Sequence, residues 1–139
     1  MLKENERIDY LIREGYEIIQ NDDVFSFSTD ALLLGHLTEV RKNDKIIDLC
    51  SGNGVIPLLL SAKCTQSIEG IEVQPQLVDM ARRSFVLNQL DSKLTMHLMD
   101  LKTVNRTFKP SQYTLVTCNP PYFKICLLYT SPSPRDATL

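Results

Sequence analysis

The apolar positions of residues 44–123 fall into short continuous runs, expected of buried strands, separated by longer stretches with helical spacing. Asp44-Lys45-Ile46-Ile47-Asp48-Leu49-Cys50-Ser51-Gly52-Asn53-Gly54 reads as a strand running into a glycine turn, followed by a helical stretch from Val55 to Lys63. Ile68-Glu69-Gly70-Ile71-Glu72-Val73 is a second strand with Glu72 near its carboxyl end. Pro75 to Leu90 is the clearest helix: Pro75 takes the favoured first-turn position, and Leu77, Met80, Ala81 and Phe85 form a core stripe. Leu94 to Leu98 is a third strand ending at Met99-Asp100, and after a loop or helix the run Tyr113 to Cys118 is a fourth. Residues 1–43 predict a short helix around Ile8 to Arg13, an extended stretch Tyr16 to Gln20, and a turn at Asn21-Asp22-Asp23. A second extended run, Val24 to Ser28, and a helix from Asp30 to Val40 capped by Ser28 or Thr29 complete this section. The alternation of strand and helix implies an α/β fold with a parallel sheet and crossover helices. Ligands of such sheets bind at the carboxyl ends of the strands, where Gly52, Glu72, Asp100 and Asn119 all fall.

Composition narrows the picture. The 139 residues, 43% hydrophobic, suffice for one domain with a core. A net charge of −2 carries no global basic signature. Any nucleic-acid contact must come from local groups such as Arg82-Arg83 or Lys102, Arg106 and Lys109, which read more readily as solvated helix faces. Cys50, Cys64, Cys118 and Cys126 lack the paired short spacing of a zinc site. With no signal peptide they suggest reduced, buried thiols in a cytoplasmic protein. No metal is expected, and no apolar run has the length of a membrane span.

The chemistry is carried by Asn119-Pro120-Pro121-Tyr122, directly after the fourth strand. Two prolines fix the backbone and remove two N–H donors, leaving a loop of acceptors. The nitrogen of an aromatic amine or an amide is a poor nucleophile because its lone pair is delocalised. The Asn119 side-chain oxygen and the Pro120 carbonyl can accept its hydrogens and favour a more reactive, pyramidal nitrogen. Tyr122 offers a flat face for stacking a planar substrate. Upstream, the glycine turn permits φ > 0 and close backbone approach, and the helix start offers unpaired N–H groups to a nucleotide-like ligand. Glu72, about 20 residues on, is suited to ribose hydroxyls. A dinucleotide fingerprint needs a third glycine where this chain has Pro57.

The spacing Asp48-x-x-x-Gly52-x-Gly54 instead resembles the cofactor loop of class I S-adenosylmethionine-dependent methyltransferases. The run Phe25-Ser26-Phe27-Ser28-Thr29-Asp30-Ala31-Leu32-Leu33-Leu34-Gly35 points further, taken with Glu72-Val73-Gln74, Ala81-Arg82-Arg83 and Asn119 to Lys124. Over residues 5–124 the chain resembles the bacterial tRNA(Val) adenine-N6-methyltransferase family, which modifies the adenine beside the anticodon. The resemblance implies a Rossmann-like class I methyltransferase sheet of which this chain holds the first four strands. It implies S-adenosyl-L-methionine as cofactor and the anticodon loop of tRNA as partner. Thr29 and Asp30 would lie near the methionine end, Asp48, Gly52 and Gly54 would form the cofactor turn, Glu72 would bind the ribose, and Asp100 would face the adenine amino group. Asn119, Pro120 and Tyr122 would be catalytic, and Pro121, Tyr122 and Phe123 would contact substrate. Simpler roles stand beside these: Asp30 as a helix-dipole residue, Asp100 as a cap, Phe123 as packing.

On this reading residues 1–43 are an N-terminal extension and 44–124 part of the methyltransferase domain. Residues 125–139, with Ser131-Pro132-Ser133-Pro134, resemble translated adapter sequence and are expected to be non-native. The fourth strand is then expected to be an unprotected edge, and the fragment inactive alone. Two other functions remain: a protein-glutamine methyltransferase acting on release factors, which meets the same amide-nitrogen problem, and a non-catalytic cofactor- or RNA-binding fragment. His36 and His97 are given no catalytic role.

Overall fold

The computed structural model describes residues 2–24, 26–109 and 112–120. The chain opens with an antiparallel hairpin of β1 (Arg7–Leu11) and β2 (Tyr16–Gln20), in register from Arg7↔Gln20 to Leu11↔Tyr16. The helix expected around Ile8 to Arg13 is therefore a strand. Gly15, at φ 77°, reverses the chain and donates its N–H to the Leu11 carbonyl, while Ile12 is 90% exposed and belongs to no buried stripe. Nor is the stretch Val24 to Ser28 a strand in its described residues. The Phe27 N–H is taken by the Gln20 side chain at 2.8 Å, and Ser28 caps the next helix.

That helix, α1 (Thr29–Leu37), stops short of Val40 because the backbone turns extended at Thr38 (ψ 124°), whose hydroxyl donates to the Leu34 carbonyl. Lys63 Nζ then caps the carbonyls of Gly35, His36 and Thr38 at 2.8–2.9 Å. Beyond it alternate β3 (Ile46–Leu49), α2 (Val55–Ser61), β4 (Ile68–Glu72), α3 (Pro75–Leu87) and β5 (Leu94–Leu98). A short 3₁₀ turn over Leu101–Thr103 and α4 (Val104–Thr107) lead to β6 (Leu115–Cys118). The four later strands are parallel in the order β5-β4-β3-β6, so α/β topology is as the periodicity predicted. Strands β4 and β5 step outward on one side of β3, and β6 returns to the other. The switch point lies between β3 and β6, with β6 on an edge of this sheet.

The core sits between the sheet and the helices. Ile46, Ile68, Leu94 and Met96 from the strands meet Val55, Leu58 and Leu59 of α2 and Val78, Ala81 and Phe85 of α3. All of α2 is buried, because α1 covers the side that the sheet does not. Gly35 makes this crossing possible: a Cβ there would lie 2.3 Å from Leu59 Cδ1. The hairpin docks on α3 by polar bonds to the free edge of β2. Ser84 Oγ accepts from the Ile19 N–H at 2.9 Å, and Asn88 both accepts from the Glu17 N–H and donates to its carbonyl. Arg83 adds a bidentate pair with the buried Glu6 at 2.6–2.7 Å, which holds the Glu6 carboxyl below its usual range. Arg82 donates to the Met96 carbonyl, so both arginines of the suggested basic patch are structural. No helix among the described residues is long and apolar enough to cross a membrane.

Candidate active site at the switch point

Two loops leave the sheet on either side of the switch point. After β3 the backbone enters the left-handed region three times in five residues, at Cys50 (φ 54°), Gly52 (φ 60°) and Gly54 (φ 89°). Gly52 and Gly54 supply this freedom without a Cβ. At Gly54 space matters too, since a Cβ would approach Phe85 Cε1 to 2.9 Å. Ser51 ties the turn to β4 through its N–H and the Ile71 carbonyl at 2.8 Å.

Glu72 ends β4 only 7% exposed, facing that turn. Its Oε1 accepts from the Gly52 N–H at 2.8 Å and its Oε2 from the N–H groups of Val73 and Gln74 at 3.1 and 3.0 Å. A carboxylate has roughly four acceptor positions, so about one remains on Oε1. The residue thus shapes the turn and keeps room for a single hydroxyl donor. That capacity, beside glycines that permit close approach, fits the ribose of a nucleoside cofactor.

Asp48 lies beneath the turn, fully buried, with Oδ2 accepting from Ser51 Oγ and Oδ1 from Thr117 Oγ1, each at 2.6 Å. Burial pushes its carboxyl up to about 7 against the pull of the two hydroxyls, and the nearby Glu72 charge adds to the rise. Asn119 and Pro120, half-buried, follow β6 directly, so the carboxyl ends of β3, β4 and β6 bring Asp48, Gly52, Glu72 and Asn119 into one region. Asp100 follows β5 at the same edge, exposed, and accepts from the Lys102 N–H to cap the 3₁₀ turn. Thr29 and Asp30 are exposed in the first turn of α1, which packs on α2. Pro121, Tyr122, Phe123 and the tail 125–139 lie outside the described residues.

Three contributors were not singled out from the sequence: Ser51, Thr117 and Asn53. Asn53 is fully buried, and its Nδ2 donates to the Ile19 carbonyl at 3.0 Å, fastening the glycine turn to the hairpin. An asparagine between two glycines was the available signal. Cys50 and Cys118 are half-buried, not buried as expected, and both are free thiols. Their mutual contact, then burial, holds Cys50 protonated well above the ordinary thiol range. His97, the penultimate residue of β5, pairs with Glu69 and meets Phe108 edge-on at 5.1 Å. Lys102, Arg106 and Lys109 are exposed.

A parallel sheet with a strand-end carboxylate, a glycine turn at the switch point and Asn119-Pro120 at the end of the strand beside it defines a Rossmann-like class I methyltransferase domain. The chain belongs to the methyltransferase small domain family, whose model matches residues 15–126. Among curated proteins it is 30% identical over 124 residues to the tRNA1(Val) (adenine(37)-N6)-methyltransferase of Flavobacteriaceae bacterium (strain 3519-10), covering 88% of this chain and 50% of the relative. It is 33% identical over 97 residues to the protein of that name from Aliivibrio fischeri, covering 69% and 40%. The chain thus spans half or less of the length of these relatives. Among solved structures, the Pyrococcus abyssi tRNA (uracil-54, C5)-methyltransferase superposes with a TM-score of 0.63 at 19% identity, over 86% of this chain and 29% of that one. TrmN from Thermus thermophilus gives 0.61 at 20% identity, over 71% and 30%. These two show the fold.

Proposed function

We propose that the protein transfers a methyl group from S-adenosylmethionine to the N6 of an adenine beside the anticodon of tRNA. The observation that carries this reading is the placement of Asn119-Pro120 at the end of β6, across the switch point from the glycine turn and Glu72. The names of the curated relatives support the substrate. Glu72 would hold the cofactor's ribose through the acceptor position left on Oε1, Gly52 and Gly54 would let the backbone approach it, and Thr29, Asp30 and Asp100 would complete its site. When bound, the cofactor supplies an electrophilic methyl group on a sulfonium.

Asn119 Oδ1 and the Pro120 carbonyl would accept the two hydrogens of the target amino group and orient its lone pair. Pro121, Tyr122 and Phe123 would seat the adenine ring. An adenine in an anticodon loop is extruded at lower cost than one in a duplex. Positioning is the main rate term, and no strong base is required before transfer because the nitrogen loses its proton afterwards.

The test uses the intact gene product and bulk tRNA lacking the modification. Transfer should yield N6-methyladenosine on nucleoside analysis, and calorimetry should show binding of S-adenosylmethionine but not of NAD. Label appearing in release-factor protein and not in tRNA would transfer the assignment to glutamine methylation. Heat released by NAD alone would overturn the cofactor.

A further inference from the structure

The carboxyl ends of β3 and β6 are joined by a side-chain bridge that no functional role described so far requires. Asp48 and Thr117 are register partners on adjacent strands, and the carboxylate spans them by accepting from Thr117 Oγ1 at 2.6 Å. Its other oxygen accepts from Ser51 Oγ at 2.6 Å. Ser51 immediately precedes Gly52, whose N–H is held by Glu72, and Thr117 stands two residues before Asn119. One buried carboxylate therefore grips the start of the glycine turn with one oxygen and the strand leading to the acceptor loop with the other.

We propose that Asp48 is a positioning residue that fixes the acceptor loop at Asn119-Pro120 relative to the glycine turn, acting through Thr117 on one side and Ser51 on the other. This rests on the reading of the site given above and deepens it, assigning Asp48 to the alignment of two loops and not to cofactor contact. Full burial, with both oxygens already bonded to side chains, leaves Asp48 facing the protein interior. Burying a carboxylate is a costly way to hold two strands together, and apolar side chains of similar size serve that end as well. What a carboxylate adds is direction, because two short hydroxyl bonds set the separation and the angle of the groups they join. The turn needs such fixing. Cys50 is held left-handed without being glycine, a conformation that persists only where its surroundings impose it. Transfer between two bound reactants is steep in their alignment, and a displacement of about 1 Å can lower a rate roughly a hundredfold.

The test compares Thr117→Val, which removes one hydroxyl at constant shape, Thr117→Ser, which keeps it, and Ser51→Ala on the other arm, all in the intact gene product. Thr117→Val should leave the Kd for S-adenosylmethionine within about threefold and lower the single-turnover rate at saturating cofactor by about tenfold or more. Thr117→Ser should restore that rate to within about twofold. A second readout needs no tRNA: S-adenosylmethionine should shift the Asn119 side-chain amide resonance in the wild type, and both Thr117→Val and Ser51→Ala should abolish that shift at saturating cofactor. Absence of tRNA methylation by the wild type would sink the functional reading, and the amide readout would still decide the bridge. An Asn119 shift absent from the wild type, or unchanged in both variants, would overturn the proposal. So would Thr117→Val losing cofactor affinity in proportion to rate, or keeping the wild-type rate.

Discussion

At the scale of single residues, the buried Asp48 carboxyl ties the stability of the fold to pH. An ordinary aspartate gains stability in the fold from its charge, but here burial raises the carboxyl to about 7 from an ordinary 3.8. The sign of the linkage follows from which state binds more protons. Between those two values the folded protein keeps a proton that the unfolded chain has lost, so this group favours folding at low pH. Its contribution declines as pH rises and is fully lost above about 7. The difference corresponds to about 4 kcal/mol at about 1.4 kcal/mol per decade. Asp48→Asn removes the titration and keeps both contacts, since an amide can accept from one hydroxyl and donate to the other. Urea midpoints of the two proteins across this window should therefore diverge, the wild type falling relative to the variant as pH rises. A wild-type profile parallel to that of Asp48→Asn would show that Asp48 is ionised throughout. Glu6, Asp22, Asp44 and Asp79, all lowered, contribute in the opposite sense, so the comparison with the variant isolates Asp48.

Secondary-structure elements divide into those written in local pattern and those set by distant partners. The strands of the parallel sheet and α3 were legible because buried runs and the stripe Leu77, Met80, Ala81 and Phe85 carry their own period, and all four stripe residues are core. The hairpin was only half legible. Its β2 edge is completed by Ser84 and Asn88, some 65–71 residues away, and no local window around Ile8 contains that information. The end of α1 was missed for a similar reason, because Lys63 caps it from beyond α2. Gly35 shows how contact overrides propensity within an element. Alanine there gains about 1 kcal/mol of helix propensity, yet its Cβ would sit 2.3 Å from Leu59 Cδ1 and 2.8 Å from Leu59 Cβ. Overpacking typically costs about 1–3 kcal/mol, and the shortest of these contacts puts this site toward the upper end, so Gly35→Ala should lower stability by a net of up to about 2 kcal/mol. Denaturant unfolding measures it, and a stabilised variant would mean that α1 and α2 slide apart without penalty. The cost should shrink in the double variant Gly35→Ala, Leu59→Ala, where the clashing branch is gone.

Across the whole molecule, the site is an assembly of two halves delivered by separate strands. On the proposed function the cofactor half would come from β3 and β4, where Gly52 and Glu72 are hydrogen-bonded to one another, and the acceptor half from β6 with Asn119 and Pro120. Chain order and strand ends made this edge legible in sequence, whereas the buried ties between the halves were not, since an aspartate at a strand end reads alike whether it faces ligand or core. The division predicts separable kinetics. Contacts to the ribose are made equally in ground and transition states, so Glu72→Ala should weaken cofactor binding with a smaller effect on the saturated rate. Asn119 is assigned to the amino group, where its acceptor matters most as the nitrogen becomes pyramidal. Asn119→Ala in the intact gene product should leave cofactor affinity within a few-fold and lower the transfer rate by roughly two to three orders of magnitude, the scale of losing one preorganised polar contact at a reacting centre. Single-turnover transfer at saturating cofactor separates the two variants. Should Asn119→Ala transfer methyl at the wild-type rate, the loop after β6 would not be the acceptor of the amino hydrogens. The chemistry would then have to be sought among Thr29, Asp30 and Asp100.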